Sequence, residues 1–257
     1  MGNLCLPCPK KKSHKGQNGV VLIIGGSRTY HGAPVLAARA AVRFCDLVYF
    51  ASTKENNSLT RRMKLATANV ICVPKGKLSF ALKHATCVLV GNGMDADAKT
   101  KAAVAAVLRS GKRCVIDAAA LRVLPVGLLH KNAILTPHAR EFEASFGIPA
   151  SERNARAMSK KHGCTILLKG GRDIIASEGK VALVKGGNAG MTKGGTGDVL
   201  AGLCAALFSA CKSPMKAACT ASKINKLAGE RLFRKYKYNF SSEDLADSLA
   251  SAAAKLY

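Results

Sequence analysis

The sequence predicts an α/β fold, in which helices cover both faces of a mostly parallel sheet. Short apolar runs rich in β-branched residues alternate along the chain with longer stretches of helical period. Such runs are typical of strands buried on both faces of a parallel sheet. The 257 residues are 48% hydrophobic, enough for a large core, and no long polar linker divides them. We therefore expect residues 15–257 to form a single domain, preceded by a basic tail over residues 1–14.

Seven apolar runs are predicted to be the strands of the parallel part of this sheet. Each is three to five residues long. The predicted strands are residues 20–24, 47–50, 69–73, 87–90, 113–116, 133–135 and 165–168. In a doubly wound sheet of this kind, ligands gather at the carboxyl ends of the strands.

Stretches with Ala, Leu, Val and Phe at helical spacing, and with Lys and Arg elsewhere, lie between these runs. They predict helices over residues 33–44, 98–110 and 139–146. After residue 173 the pattern predicts a hairpin, with strands 174–176 and 181–183 around a turn at 177–180. Further helices are expected to begin at about Asp198, Pro214 and Ser242.

The chain is strongly basic, with 40 Lys and Arg against 15 Asp and Glu and a formal net charge of +25. Such a charge favours anionic partners. Only Lys10, Lys11 and Lys12 form a run, and aromatic residues are 5% of the chain, so no stacking platform for a single strand is evident. Two interpretations stay open: a solvated basic surface, and a face that binds nucleic acid nonspecifically.

The sequence favours a cytoplasmic protein without a membrane partner. No apolar stretch approaches the roughly 18 residues that a membrane helix needs, and no signal-peptide core is present. Most of the ten cysteines lie in apolar segments, as do Cys72 and Cys87, where a reduced thiol packs as a small apolar residue. We therefore expect reduced thiols in a reducing compartment. Cys5 and Cys8 form an isolated C-x-x-C pair in a segment expected to be frayed, and no role is assigned to them.

The strongest functional motif is a glycine-rich turn before a predicted apolar helix. Residues 187–198 include five glycines, and the last six residues read Lys-Gly-Gly-Thr-Gly-Asp. Glycines let backbone N–H groups converge at the start of a helix, where they can stabilise charge on a transferring phosphoryl group. Asp198 could accept the proton of an attacking hydroxyl, and capping of the helix is the alternative. The motif predicts a nucleotide-using enzyme.

Five other turns with candidate site residues follow predicted strands. Glycines in three of these turns permit a close approach of a ligand, but local turn formation or helix capping explains each of the five turns as well in isolation. For Asp117, contact with a metal-bound phosphate and capping both stay open. The turns are Gly25-Gly26-Ser27, Gly91-Asn92-Gly93, Asp117, Thr136-Pro137-His138 and Lys169-Gly170-Gly171-Arg172-Asp173.

The order and spacing of these motifs resemble those of the ADP/ATP-dependent NAD(P)H-hydrate dehydratases, a family in the ribokinase-like superfamily. The resemblance covers about residues 15–250. The Gly-Gly-Thr-Gly-Asp turn alone indicates the superfamily, whereas Thr-Pro-His-x-x-Glu-Phe at residues 136–142 selects the dehydratases. The segments that carry the resemblance are Gly25-Gly26-Ser27, Tyr30-His31-Gly32-Ala33, Gly91-Asn92-Gly93-Met94, residues 136–142, Lys169-Gly170 and residues 194–202.

The resemblance implies a ribokinase-like three-layer α/β/α sandwich and a repair reaction. In that reaction the hydrated, damaged form of NADH or NADPH (NADHX or NADPHX) is phosphorylated on its ring hydroxyl by ADP or ATP. Phosphate then leaves, which restores the nicotinamide. The resemblance further implies that Mg2+ accompanies the nucleotide, that the chain forms a homo-oligomer, and that a separate chain supplies any epimerase for the hydrate.

The resemblance also implies roles for individual residues, with Asp198 as the catalytic base that activates the hydroxyl. No metal-ligating residue is assigned. The hydrate site would be lined by Ala33, Gly93, His138 and Asp198. The nucleotide site would be formed by Lys169, Gly170, Gly171, Arg172, Asp173, Gly194, Gly195, Thr196 and Gly197.

The sequence departs from the family pattern at two places. The family usually reads Asp-Ala-Asp-Ala-Leu-Asn, where this chain has Ala119 and Arg122 and so loses a carboxylate and gains a cation. Asp95 stands where a further Gly is usual. Two other functions stay as candidates. One is a ribokinase-like kinase for a vitamin precursor or sugar, and the other is a nucleic-acid-binding protein on a retired enzyme fold.

Overall fold

The strands of the chain form one central sheet. The computed structural model describes residues 4–63 and 69–257, and in these residues the sheet has nine strands. Every predicted strand is present, and its ends differ from the prediction by at most one residue. The strands are β1 (Val20–Ile24), β2 (Leu47–Ala51), β3 (Val70–Cys72), β4 (Cys87–Val90), β5 (Arg113–Ile116), β6 (Ala133–Leu135), β7 (Thr165–Leu168), β8 (Asp173–Ser177) and β9 (Lys180–Val184).

The strand order is β3-β2-β1-β4-β5-β6-β7-β8-β9. Strands β1 to β7 run parallel. Strands β8 and β9 form the predicted antiparallel hairpin at one edge. The register pairs Ile24 with Val90, Val90 with Ile116, and Ile116 with Leu135, so these residues form one row. The turns that follow β1, β4, β5 and β6 therefore meet along the same edge of the sheet.

Helices cover both faces of this sheet. The helices of the described residues are α1 (Gly32–Ala41), α2 (Lys54–Met63), α3 (Leu78–His84), α4 (Ala98–Arg109), α5 (Ala119–Arg122), α6 (Ala139–Phe146), α7 (Glu152–His162), α8 (Thr196–Ala210), α9 (Pro214–Tyr236) and α10 (Ser242–Ala253). Helices α1, α8, α9 and α10 share one core, and α3, α4, α6 and α7 contribute to the other. The predicted three-layer sandwich is confirmed. In the described part of the chain, no helix is both long and apolar enough to cross a membrane.

Strand β4 illustrates how each strand serves both cores. Cys87 and Leu89 belong to the core that α8 shares, and Val88 and Val90 belong to the core on the opposite face. All four side chains are fully buried. Because both faces are covered, the strand reads as a continuous apolar run instead of alternating with polar residues.

The sequence pattern predicts neither α2, α3, α5 nor α7, and it places the end of α1 too late. Helix α7 buries only Ala155 and Ser159, so it lacks apolar periodicity, and its ends are set by the Ser151 cap and by Gly163. Helix α1 ends three residues before its predicted end. The apolar pattern continues beyond the helix because Phe44, in the turn that follows, is buried as well.

The described part of the N-terminal segment is attached to the domain. Cys5 forms a disulfide bond with Cys211, the residue after α8, and its backbone N–H donates to Thr220 Oγ1 at 2.9 Å. Leu6 packs against the core on this side. The expectations of a frayed Cys5 segment and of reduced thiols are therefore wrong for Cys5 and Cys211. The domain boundary at residue 15 stays a prediction.

Candidate active site

The candidate site lies at the carboxyl edge of the sheet, beside the start of α8. Asn92, Asp117, Thr136 and Lys169 come from the turns after β4, β5, β6 and β7. With Asp198 of α8, their side chains form a connected network of hydrogen bonds. Residues far apart in the sequence meet here because parallel strands end at the same edge.

The glycine-rich turn determines where α8 begins. Gly195 is the N-cap residue and has a φ of +94°, a left-handed conformation that other residues rarely adopt. The hydroxyl of Thr196 donates to the backbone oxygen of Lys193 at 2.9 Å. The Lys193 ammonium group in turn donates to backbone oxygens of the segment after α9. Hydrogen bonds within the turn and to the segment after α9 thus stabilise it, and α8 begins two residues before the predicted start at Asp198.

Asp198 lies in the first turn of α8 but is not the cap of this helix. The cap position belongs to Gly195, and Asp198 Oδ1 instead accepts a hydrogen bond from Asn92 Nδ2 at 2.6 Å. The interpretation of Asp198 as a simple helix cap is therefore wrong. The helix N-terminus favours negative charge at this position, both on the carboxylate and on a bound phosphate.

Asn92 and Asp117 connect Asp198 to the sheet edge. Asn92 is fully buried, and its Nδ2 donates both to Asp198 and to Asp117 Oδ2, the latter at 2.9 Å. Asp117 Oδ1 accepts from the Thr136 hydroxyl at 2.7 Å and from Lys169 Nζ at 2.9 Å. Asp117 is 2% exposed, so three donors hold a carboxylate that is almost inaccessible.

The surroundings raise the pKa of Asp198 from 3.8 to about 6. Burial is the largest cause and the negative charge of Asp117 adds to it, while the Asn92 hydrogen bond and the Lys169 charge lower this pKa. For Lys169, burial by itself lowers the pKa, but the carboxylates of Asp117 and Glu141 hold it above the ordinary value. At pH 7 Asp198 is mostly ionised, with a pKa close enough to neutral for a general base.

His138 and Glu141 form a capping box at the start of α6. His138 Nδ1 accepts from the Glu141 backbone N–H at 3.2 Å, and Glu141 Oε2 accepts from the His138 backbone N–H at 2.9 Å. Glu141 also lies 3.7 Å from Lys169 Nζ, which ties the cap to the network. The His138 side chain is 48% exposed, so it stays accessible to a ligand. The capping alternative is confirmed, and contact with the hydrate stays a prediction.

Ala33 and Gly93, the other predicted residues of the hydrate site, lie side by side. Ala33 is in the first turn of α1, and a Cβ placed on Gly93 would be 3.2 Å from the Ala33 Cβ. Gly93 directly follows Asn92 in the chain. Gly93 and the adjacent Ala33 therefore border the network around Asp198. Asp95, which departs from the family pattern, is exposed two residues later. Contact of Ala33 and Gly93 with a substrate stays a prediction.

Several of the predicted nucleotide-site residues lie near the network. A Cβ placed on Gly197 would be 3.4 Å from Lys169 Nζ, so the start of α8 adjoins the lysine. The backbone at Gly170, Gly171 and Gly194 is exposed. The Gly170 N–H donates to Asp173 Oδ1 at 3.0 Å, so Gly171 and Gly194 are the residues that could offer backbone N–H groups to phosphate, beside the Lys169 ammonium group.

Arg172 and Asp173 have partners inside the protein. Asp173 accepts from the Ser222 hydroxyl at 2.7 Å and lies 3.3 Å from Lys226 Nζ. Arg172 lies 3.9 Å from Glu152 at the start of α7. The Asp173 side chain thus stabilises the turn after β7 from its buried side. Direct contact of Arg172 or Asp173 with a nucleotide stays a prediction.

Lys226 is a residue of this region that the sequence pattern did not single out. It is buried on α9, and its Nζ donates to backbone oxygens of two turns, at Gly170 and Gly186. Ser222 and Gly229 are buried on the same face of α9, at helical spacing from Lys226. This spacing is the signal in the sequence that the lysine points inward.

The described residues do not form a metal site of their own. Among them, no group of three or more His, Cys, Asp or Glu side chains could hold an ion. Both oxygens of Asp117 accept hydrogen bonds within the protein, and Ala119 offers no carboxylate. A divalent cation here would depend on oxygens of the nucleotide phosphates.

Comparison with known proteins gives consistent results. A family model described as NAD(P)H-hydrate dehydratase matches residues 21–251. A relative from Nitrosopumilus maritimus named ADP-dependent (S)-NAD(P)H-hydrate dehydratase is 38% identical, over 96% of this chain and 92% of the relative. A relative of the same name from Cenarchaeum symbiosum is 36% identical, again over 96% and 92% of the two chains.

Solved structures share the fold. A ribokinase-like superfamily protein from Enterococcus faecalis has a TM-score of 0.88 and 25% identity, covering 98% of this chain and 92% of its own. The ADP/ATP-dependent NAD(P)H-hydrate dehydratase from Bacillus subtilis, crystallised with ATP and Mg2+, has a TM-score of 0.86 and 23% identity. It covers 98% of this chain and 95% of its own.

Proposed function

The chain belongs to the NAD(P)H-hydrate dehydratase family, and on this premise we propose that its site uses ADP or ATP to dehydrate hydrated NADH and NADPH. The observation that carries the proposal is the placement of Asp198. Its carboxylate has a pKa of about 6, lies at the helix start after the glycine-rich turn, and is bonded to Asn92 instead of capping its helix. A base at this position is what phosphoryl transfer to a hydroxyl needs.

The first step transfers a phosphoryl group to the hydrate. Asp198 removes the proton of the ring hydroxyl, and the hydroxyl oxygen forms a bond to the terminal phosphorus of the nucleotide. The bond from that phosphorus to its bridging oxygen breaks, so AMP leaves from ADP, or ADP from ATP. We expect the backbone N–H groups of Gly194, Gly195 and Gly197 and the Lys169 ammonium group to offset the negative charge, since the Thr196 N–H donates to Lys193 within the turn.

The second step removes phosphate from the phosphorylated hydrate. The bond between the ring carbon and the phosphate oxygen breaks, and the neighbouring ring carbon loses a proton to water. A ring double bond forms, and NADH or NADPH is restored. Phosphate is a much better leaving group than hydroxide, which explains why nucleotide is consumed in what is formally a loss of water.

The names of two relatives support ADP as the donor and the (S)-hydrate as the substrate. A hydrate of the opposite configuration would need an epimerase, which we propose as a separate partner in the same repair.

Mg2+ would enter with the nucleotide phosphates, because the described residues include no group of three or more His, Cys, Asp or Glu side chains that could hold it. We also propose, from the family, a cytoplasmic homo-oligomer.

A repair assay tests the proposal. Purified enzyme is incubated with (S)-NADHX or (S)-NADPHX, Mg2+ and either ADP or ATP, and the reduced-nicotinamide absorbance is followed. We expect absorbance to return with at least one nucleotide and not without nucleotide. Failure to restore absorbance with both nucleotides and both hydrates would reject the proposal. Nucleotide consumption without restored absorbance would indicate a kinase.

A further inference from the structure

We propose that Asn92 is a positioning residue for this reaction: its amide group holds the Asp198 carboxylate and separates it from the charge of Asp117. The inference rests on the proposed function, in which Asp198 is the base. Asn92 lies between the two carboxylates and donates from the same Nδ2 to Asp198 Oδ1 at 2.6 Å and to Asp117 Oδ2 at 2.9 Å.

The orientation of the Asn92 amide is fixed by its neighbours. A rotated amide would place its oxygen against two carboxylate oxygens, so only the observed orientation is favourable. In this orientation Asn92 Oδ1 is buried and has no hydrogen-bond partner among the residues that the structure describes. Buried polar atoms without partners are rare and disfavour folding. The fold tolerates one here, which indicates that the contact with both carboxylates is what this side chain contributes.

The other charged groups around Asp198 do not duplicate this contact. They are Asp117 after β5, Lys169 after β7 and Glu141 on α6. Lys169 and the Thr136 hydroxyl both donate to Oδ1 of Asp117, whereas Asn92 donates to Oδ2. In the described residues, Asn92 is the side chain that is hydrogen-bonded to both Asp198 and Asp117.

Loss of the amide donors has a defined electrostatic consequence. The Asn92 hydrogen bond lowers the pKa of Asp198, whereas burial and the charge of Asp117 raise it. Without the donors, the protonated form of Asp198 is favoured to a higher pH, and less of the base is available at neutral pH. The loosened carboxylate also samples more orientations, which slows proton removal after the substrate is bound.

The pH dependence of kcat/KM in the repair assay tests the inference with Asn92→Leu, which keeps the branched shape of the side chain and removes the donors. We expect the acidic limb to move up by about one pH unit or more. We also expect kcat to fall by a larger factor than the KM for nucleotide changes.

Asn92→Asp also lacks the amide donors and adds a carboxylate, so it should move the acidic limb in the same direction. It covers the case in which Asn92→Leu does not fold. Met94→Leu, two residues along the same turn, is the control and should leave the limb in place.

A second measurement does not depend on turnover. The Asp198 carboxyl is titrated by carbon-13 NMR in the ligand-free protein with labelled aspartate, and Asp198→Asn identifies its signal. We expect a higher pKa for Asp198 in the Asn92 variants than in the unmodified protein. An unmoved Asp198 pKa and an unmoved acidic limb, with kcat lowered equally at every pH, would overturn the inference. If the unmodified protein restores no NADH, the proposed function fails, and the titration still decides the role of Asn92.

Discussion

Asp198 is the residue whose loss should stop the reaction while the site keeps its shape. Asp198→Asn removes the base but preserves the size and polarity of the side chain beside Asn92. We expect repair to fall by at least about 1000-fold, to the level that remains when general base catalysis is lost. Nucleotide affinity, measured by calorimetry, should change little, because backbone N–H groups and Lys169 provide the expected phosphate contacts. Near-normal turnover in the variant would remove Asp198 from the mechanism.

The same substitution should stabilise the fold at neutral pH. The pKa of Asp198 is raised in the folded protein to about 6 from 3.8, so ionisation above that pH opposes folding. Below pH 3.8 the carboxyl is neutral in both states, and the substitution then gives no advantage. We expect Asp198→Asn to gain of order 1–2 kcal/mol at pH 7, with the gain shrinking as the pH falls toward 4. Chemical denaturation at several pH values measures this.

Asp247→Asn is a control with the opposite sign. The Asp247 carboxylate accepts hydrogen bonds from Arg39 and Arg43, and although burial opposes it, the net effect is to lower its pKa. A carboxyl with a lowered pKa contributes stability above its unfolded pKa, so this substitution should destabilise the protein at pH 7. A stability loss in Asp198→Asn similar to that in Asp247→Asn would contradict the assigned environment of Asp198.

The sequence was sufficient to select some of the site residues but not to predict their contacts. Asp198 and Lys169 could be selected because each follows a glycine-rich or strand-end pattern. Whether Asp198 caps α8 could not be predicted, because the cap position depends on the backbone of Gly195. The buried partners of Asp173, Ser222 and Lys226, also escape prediction, since they come from α9, about 50 residues away along the chain.

At the scale of elements, the contact between α1 and α8 holds the two sides of the site together. Helix α1 carries Ala33 and α8 carries Asp198, and the helices approach closely at Gly202, where a Cβ would lie 2.1 Å from the backbone oxygen of Ala37. We expect Gly202→Ala to destabilise the protein by about 1–3 kcal/mol, because the helices must move apart. Repair activity should fall as well. Urea denaturation and the repair assay measure the two effects.

Gly127→Ala provides the matched control for this substitution. Gly127 is exposed, and a Cβ placed there would meet no atom within 4 Å. The same chemical change should therefore leave stability nearly unchanged. Equal stability losses in the two variants would show that the close contact of α1 and α8 is not what disfavours the added methyl group.

Strands were easier to predict than helices in this chain, for a physical reason. A strand buried on both faces, such as β4, must be apolar throughout, so its limits are visible in the sequence. Helix α7 buries only two residues, so its limits depend on caps that resemble ordinary turns. Val42 and Phe44, which follow α1, contact the same core as the end of this helix, so the apolar pattern continues past its last residue.

For the molecule as a whole, the net charge of +25 predicts nonspecific association with polyanions. Affinity for a labelled oligonucleotide, measured by fluorescence anisotropy, should fall at least about 100-fold between about 50 and 200 mM salt. Asp198→Asn should bind it equally well, because the effect belongs to the surface and not to the active site. Salt-independent binding would point to a specific nucleic-acid site instead.

The layers of the fold could be predicted from the sequence, whereas the contacts among the site residues could not. Alternating apolar runs and helical stretches were sufficient to predict the layers, and the motifs indicated the superfamily. The connection among Asn92, Asp117 and Lys169 depends on the register of β4, β5, β6 and β7, which places their ends together. The disulfide bond between Cys5 and Cys211 joins positions 206 residues apart, so no local sequence pattern predicts it.

The proposed reaction is tested most directly by the ratio of phosphate released to NADH restored, measured in one reaction with (S)-NADHX and ADP. We expect one inorganic phosphate and one AMP for each NADH, with all three lost together in Asp198→Asn. AMP formed without phosphate and NADH, or NADH restored without consumption of nucleotide, would contradict it.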